Sequence, residues 1–319
     1  MTSRIPHLLE PYLSLPDEAA LVVLTGVLGA STNWLVLRHL HALLKPQSPP
    51  LSSSITASTP PVTGNEARNG GSGGGEGAGE AAVLLVSFLR DFAFWKENLS
   101  RLGVDLEAAA RRGRFGYVDG LSGLFTPSPA QGQLPQQARQ GRRRVLTSPA
   151  AGEIGRVVLE GVEQLRRGSS TAAVASGTGE TGERKVVVVV DGLDLVLAAS
   201  SSMSPNPGAG QQAGATAKAI KEMLMDLREK THAAIVTLAV DDPLIKEQET
   251  PLEKQHAWFA LSLAHEADTV LSLRLLDTGT AKDVSGVIRI THSGARTKDH
   301  EYLYHVGGDG GVRVFERGQ

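Results

Sequence analysis

Two stretches of the chain carry residue types that could handle a nucleotide. One is Asp191, which follows the run Lys185-Val186-Val187-Val188-Val189-Val190 and precedes Gly192, Leu193 and Asp194. A carboxylate directly after an apolar strand is where phosphate-hydrolysing α/β proteins hold Mg²⁺. The other is Gly26-Val27-Leu28-Gly29-Ala30-Ser31-Thr32-Asn33, a glycine-containing turn between an apolar stretch and an amphipathic one. Strand, glycine turn and helix, in that order, form the setting of a phosphate-binding loop.

The chemistry of that loop is incomplete. Begun at Gly26, it requires Gly at 31, Lys at 32 and Ser or Thr at 33, where this chain has Ser31, Thr32 and Asn33. The lysine would meet the β and γ phosphates, and the hydroxyl would hold Mg²⁺. Gly26, Gly29, Ser31, Thr32 and Asn33 therefore read either as a degenerate loop that still holds nucleotide or as a helix-entry turn capped by Ser31 or Thr32. Downstream, Ser87, Phe88, Leu89 and Arg90 stand where many RecA-like ATPases carry a catalytic glutamate. No general base is offered there, and no catalytic residue is assigned.

Other chemistry is thinly represented. The run Arg142-Arg143-Arg144 reads as a solvated loop segment or as an RNA-phosphate contact, and Arg90 and Arg296 are further basic candidates. The nine histidines show no metal-ligand spacing, and the absence of cysteine excludes thiolate sites and disulfides. Neither a metal nor a cofactor is expected.

The elements that would position these residues follow from periodicity. Five consecutive valines fit a strand covered on both faces, hence a central one. Further strands are predicted over 21–25, 82–88, 115–120 and 233–240, with helices over 34–44, 91–102, 107–112, 154–167, 216–230 and 256–267. His256 and Glu266 are expected at the surface. Edge strands over 269–276 and 286–291 precede a hairpin of 301–306 with 312–315. This alternation predicts a single α/β domain over 1–319: a RecA-like, mainly parallel sheet flanked by helices, with an antiparallel extension at its C-terminal end. Segments 46–80, 126–150, 168–184 and 199–214 are too rich in Gly, Ser, Pro or Gln to bury much apolar area, and are predicted to be disordered insertions.

Composition removes whole classes of function. A net charge of −2 gives no overall balance for polyanions, and 4% aromatic residues argue against extensive base-stacking platforms. Pro6, Glu10 and Pro11 are at odds with a signal peptide, and no apolar run approaches the roughly 18 residues of a spanning helix. A soluble intracellular protein without a membrane partner is expected.

Several of these segments, taken in order, resemble one family. Leu85-Val86-Ser87-Phe88, Trp95-Lys96, Leu102-Gly103-Val104-Asp105-Leu106, Phe115-Gly116-Tyr117-Val118-Asp119-Gly120-Leu121-Ser122 and Val190-Asp191-Gly192-Leu193-Asp194 are similar to Elongator complex subunit six. The resemblance covers the non-insertion parts of about 5–315, and the insertions resemble those of filamentous-fungal homologues. It implies a RecA fold without working nucleotide motifs, assembled with subunits four and five into a hetero-hexameric ring. It further implies tRNA binding by that ring, service to the catalytic subcomplex that modifies the wobble uridine, and a cytoplasmic or nuclear location.

Ring assembly of RecA-like domains is head to tail, so a crevice without ligand becomes contact surface. On that basis the turns at 25–33, 119–122 and 191–194, with Asp119, Asp191 and Asp194, are expected at a subunit interface. Each aspartate could equally cap its own turn. Two other readings compete: a divergent ATPase in which Asp191 holds Mg²⁺ and a cation from elsewhere replaces the loop lysine, and a free-standing regulatory protein that binds single-stranded DNA.

Overall fold

Val186–Asp191 is a strand with every residue buried, and it lies midway across the parallel part of the sheet. The computed structural model describes residues 5–45, 81–125, 143–176, 184–202, 216–276, 279, 281–293 and 299–317. Its strands are β1 (Ala20–Gly26), β2 (Ala82–Ser87), β3 (Phe115–Asp119), β4 (Arg143–Val145), β5 (Val186–Asp191), β6 (Ala233–Ala239), β7 (Thr269–Arg274), β8 (Gly286–His292), β9 (His300–Val306) and β10 (Val312–Phe315). Its helices are α1 (Glu10–Leu13), α2 (Asn33–Leu44), α3 (Phe92–Arg101), α4 (Leu106–Arg111), α5 (Ser122–Phe125), α6 (Ala151–Ser176), α7 (Leu195–Ser202), α8 (Ala217–Glu229), α9 (Asp242–Ile245) and α10 (Pro251–Glu266).

The strands form one sheet in the order β10-β9-β8-β7-β1-β6-β5-β2-β3-β4. Neighbours from β7 to β4 are parallel, and β8, β9 and β10 continue antiparallel. The valines of β5 divide by parity between the two cores. Val187 and Val189 pack with α1, α2, α3 and α4, whereas Val186, Val188 and Val190 pack with α6, α7, α8 and α10. The predicted inward face of α8, Ile220, Met223, Leu224 and Leu227, is buried. Helix starts are closed by side chains: Asp91 takes the amide of Phe94, Asp105 those of Glu107 and Ala108, and Thr250 with Glu253 forms a capping box.

Several expectations give way. The segments predicted as edge strands over 269–276 and 286–291 are both interior, because β7 pairs with β1 and β8, and β8 pairs with β7 and β9. The alternating pattern of β7 reflects half-burial near the junction of parallel and antiparallel parts. The arginine run expected in a floppy loop supplies β4, an edge strand paired with β3, and Leu146 after it is fully buried. Helix α6 extends beyond 154–167 at both ends and continues into the predicted insertion at 168–184. Once nucleated, a helix adds one hydrogen bond per residue fixed, so Ala- and Ser-rich sequence can prolong it. Helix α7 likewise occupies 199–202 of another predicted insertion, with Gly192 (φ +72°) turning the chain into it. The disorder expected over 46–80, and over 126–142, 177–183 and 203–214, concerns segments outside the described residues.

Candidate functional site

The carboxyl ends of the parallel strands converge on one edge of the sheet, where open α/β folds bind ligands. Its first wall is the turn after β1. The Ala30 amide donates to the Val27 carbonyl at 2.8 Å, folding Leu28 and Gly29 into a tight turn. Gly29 has φ +88°, a conformation that favours glycine. A Cβ on Gly26 would stand 2.8 Å from the Ala30 carbonyl oxygen.

The amides of this turn are already used. Leu28 N donates to Asp241 Oδ1 at 2.7 Å, and Asn33 N donates to Ser31 Oγ at 3.2 Å. Thr32 is buried, and its side chain makes no capping bond to α2. Of the two expected caps, only Ser31 accepts an amide here. A phosphate loop works by presenting unpaired amides around a concavity. This turn instead spends the amides of Leu28, Ala30 and Asn33 on the protein itself.

Asp191 is fully buried. Its Oδ2 accepts from Ser87 Oγ at 2.9 Å, and its Oδ1 is 3.3 Å from Thr237 Oγ1. Thr237 Oγ1 also accepts from the Gly192 amide at 2.7 Å. Burial pushes the Asp191 carboxyl up to about 6, opposed by the Ser87 hydrogen bond and the Arg90 charge. The Asp191 carboxylate is internal and joins three strand ends, those of β5, β2 and β6.

Ser87 completes that junction. Its hydroxyl lies 2.8 Å from the Arg90 carbonyl and accepts from Trp95 Nε1 at 3.1 Å. A serine packed this way presents no base to solvent.

The remaining predicted residues divide. Asp119 Oδ1 accepts from Leu121 N at 3.0 Å and Ser122 N at 2.8 Å, closing the turn into α5. Asp194 is half-buried, and desolvation raises its pKa against the opposing charge of His256. His256, expected at the surface, is buried with Nε2 2.8 Å from the Ala239 carbonyl. Glu266 pairs with Lys221 at 2.5 Å.

Arg143 and Arg144 belong to β4, the outer strand of the sheet beside β3. The Arg143 guanidinium lies 3.2 Å from the Phe92 ring centroid, and Arg144 Nη2 donates to the Glu160 carbonyl at 3.3 Å. They line a groove of about 780 Å³ that also holds Glu153, Glu160 and Glu163. Arg156 in that groove is paired with Glu153 at 2.7 Å and Glu160 at 2.5 Å. Arg142 and Arg296 lie outside the described residues, and Arg90 donates to the Leu89 carbonyl while stacking 5.4 Å from the Phe94 ring centroid.

Sequence reasoning missed an apolar fringe on the same edge. Leu28, Leu89, Phe125 and Leu275 are 87%, 38%, 46% and 45% exposed; Leu28, Leu89 and Leu275 follow β1, β2 and β7, and Phe125 ends α5. Leu275 reaches within 3.4 Å of the position a Cβ on Gly29 would take. The signal of Leu28, Leu89 and Leu275 was a large apolar residue just past a strand end, where polar turn residues are usual.

No curated protein matches the sequence. Among solved structures, an uncharacterised protein from Pyrococcus horikoshii, crystallised with an unknown peptide, superposes with a TM-score of 0.52 at 12% identity over 100% of both chains. A KaiC-like protein from the same species gives a TM-score of 0.48 at 13% identity, covering 99% of this chain and 98% of its own. The first likeness is one of fold. The family described as Elongation complex protein 6 matches residues 78–306, a span that runs from β2 through β9. With that span matched and a RecA-like sheet in place, the chain belongs to the Elongation complex protein 6 family and is an Elongator subunit of RecA-like fold.

Proposed function

We propose that this chain is a non-catalytic ring subunit of Elongator. In this reading it joins subunits four and five in a hetero-hexameric ring that binds tRNA and serves the catalytic subcomplex in wobble-uridine (U34) modification, in the cytoplasm and nucleus. The observation that carries the reading is a nucleotide edge occupied by the chain's own groups. The turn at 26–33 spends the amides of Leu28, Ala30 and Asn33 internally, Asp191 is buried, and Ser87 lies under Trp95 where an ATPase would place a glutamate.

Exposed apolar groups support assembly. Four large ones fringe the carboxyl edge, while Trp258 and Leu261, 46% and 56% exposed, stand on α10. Two unlike apolar patches suit a head-to-tail contact, in which one subunit's edge meets the next subunit's flank. No helix among the described residues is long and apolar enough to cross a membrane.

Calorimetry with ATP and Mg²⁺, on the chain alone and mixed with subunits four and five, tests the proposal. Silence from the chain alone is expected. Binding by the chain alone, lost on Gly26→Val, would overturn it in favour of a divergent ATPase.

A further inference from the structure

A second cavity, of about 380 Å³, lies between α2, α3 and the turn joining β9 to β10. At its base is Arg38, which is only 3% exposed. Its Nη2 donates to the Gly310 carbonyl at 3.0 Å, and its buried Nε has no acceptor. Burial pushes the guanidinium pKa down, with no neighbouring charge opposing it. Among the described residues Arg38 has no carboxylate partner, whereas buried charges are ordinarily paired because an unpaired one is costly to hold.

The other charged groups of the lining are committed. Arg101 pairs with Glu97 at 2.5 Å, and the exposed Asp309 takes the Gly311 amide at 2.9 Å. Among the described residues, Arg38 is the one cation of this lining without an ion-pair partner, and Asp309 keeps its negative charge at the rim. The walls are apolar: Trp34, Leu37, Phe94, Leu102 and Val306. The volume falls near the lower end of small-molecule pockets, roughly 300–1,000 Å³.

We propose that this cavity binds a carboxylate carried on a small apolar body, the carboxylate seated on the fork of Arg38 and the body against Trp34 and Phe94. A guanidinium matches a carboxylate with parallel hydrogen bonds, and a single unneutralised cation calls for a singly charged anion. Asp309 at the rim disfavours a second negative charge. The proposal stands apart from the ring reading, since it uses neither the strand-end edge nor its fringe.

The test uses the full chain, ¹⁵N-labelled, whose three tryptophans give separate indole resonances. Benzoate is titrated, with phenyl phosphate and benzyl alcohol at matched ionic strength as comparisons. Benzoate should shift the Trp34 indole saturably while Trp95 and Trp258 stay still, and should raise the melting temperature. Benzyl alcohol should do neither, and phenyl phosphate should bind at least about tenfold more weakly, the factor that 1.4 kcal/mol represents.

Arg38→Met should abolish the response yet melt no lower than the parent without ligand, because it replaces an uncompensated cation with an apolar group. Leu102→Trp, which fills the cavity and leaves Arg38 in place, should abolish it as well and serves if the methionine variant does not fold. An unresponsive Trp34 in the parent chain, an equal response to benzyl alcohol, or preference for phenyl phosphate would overturn the proposal.

Discussion

Ser87 Oγ stands 2.9 Å from Asp191 Oδ2, so the ends of two adjacent parallel strands are tied together where a nucleotide crevice would open. The same hydroxyl receives the indole N–H of Trp95 at 3.1 Å. Together these groups form an internal joint, and its energetics can be measured.

The joint makes stability depend on pH. Folding raises the Asp191 pKa from 3.8 to about 6, so the folded state favours the protonated acid. That contribution is fully present below about pH 4, is lost as pH rises through 6, and amounts to about 3 kcal/mol at 1.36 kcal/mol per pKa unit. Asp191→Asn keeps the shape without the charge: its amide oxygen can go on accepting from Ser87 Oγ while its NH2 donates to Thr237 Oγ1. Urea unfolding should show the variant gaining on the parent between pH 4.5 and pH 7.5. A pH-independent difference would contradict the buried-acid account.

Removing the hydroxyl strands two buried partners and also takes away the acceptor of the Arg90 amide. In Ser87→Ala the Trp95 indole N–H and Asp191 Oδ2 each lose a bond, at roughly 1–3 kcal/mol for a buried unsatisfied group. A total loss of about 2–4 kcal/mol is expected by urea unfolding at pH 7.5. A loss below about 1 kcal/mol would mean that neither bond matters.

Restoring the missing lysine should not restore nucleotide binding. In Thr32→Lys the loop would have its cation, but the Ala30 amide would still face Val27 and the Leu28 amide would still face Asp241. Calorimetry with ATP and Mg²⁺ should remain silent. Micromolar binding by the variant would show that only the charge was lacking.

Arg143 and Arg144 remain the described part of the proposed RNA contact. Reversing both to Glu should weaken tRNA binding by the assembled ring and make the slope of log K against log salt shallower by about 1.4 to 1.8, the change expected when two phosphates are no longer neutralised. An unchanged slope would leave Arg143 as a stacking partner of Phe92 and Arg144 as a tie to α6.

The architecture was readable where side-chain pattern alone decides it. Val186 to Val190 could only be a strand covered on both sides, and Ile220, Met223, Leu224 and Leu227 could only face inward from a helix. The missing Lys at 32 was equally plain. Long-range partners were not. Nothing local to Arg143-Arg144-Val145 announces an edge strand, because its order comes from β3, and nothing near Asp191 shows that Thr237 and Ser87 close over it. The fringe of Leu28, Leu89, Phe125 and Leu275 became visible only when four distant segments met on one edge.

The most direct measurement is native mass spectrometry of the chain mixed with subunits four and five, comparing the parent with Leu28→Asp/Leu275→Asp. Leu28 is largely exposed and Leu275 slightly less than half exposed, so folding should change by about 1 kcal/mol for the pair. If the carboxyl edge is a subunit contact, the double variant stays folded and the hexamer is lost or much reduced. An intact hexamer at parental abundance would contradict the interface on which the proposed function rests.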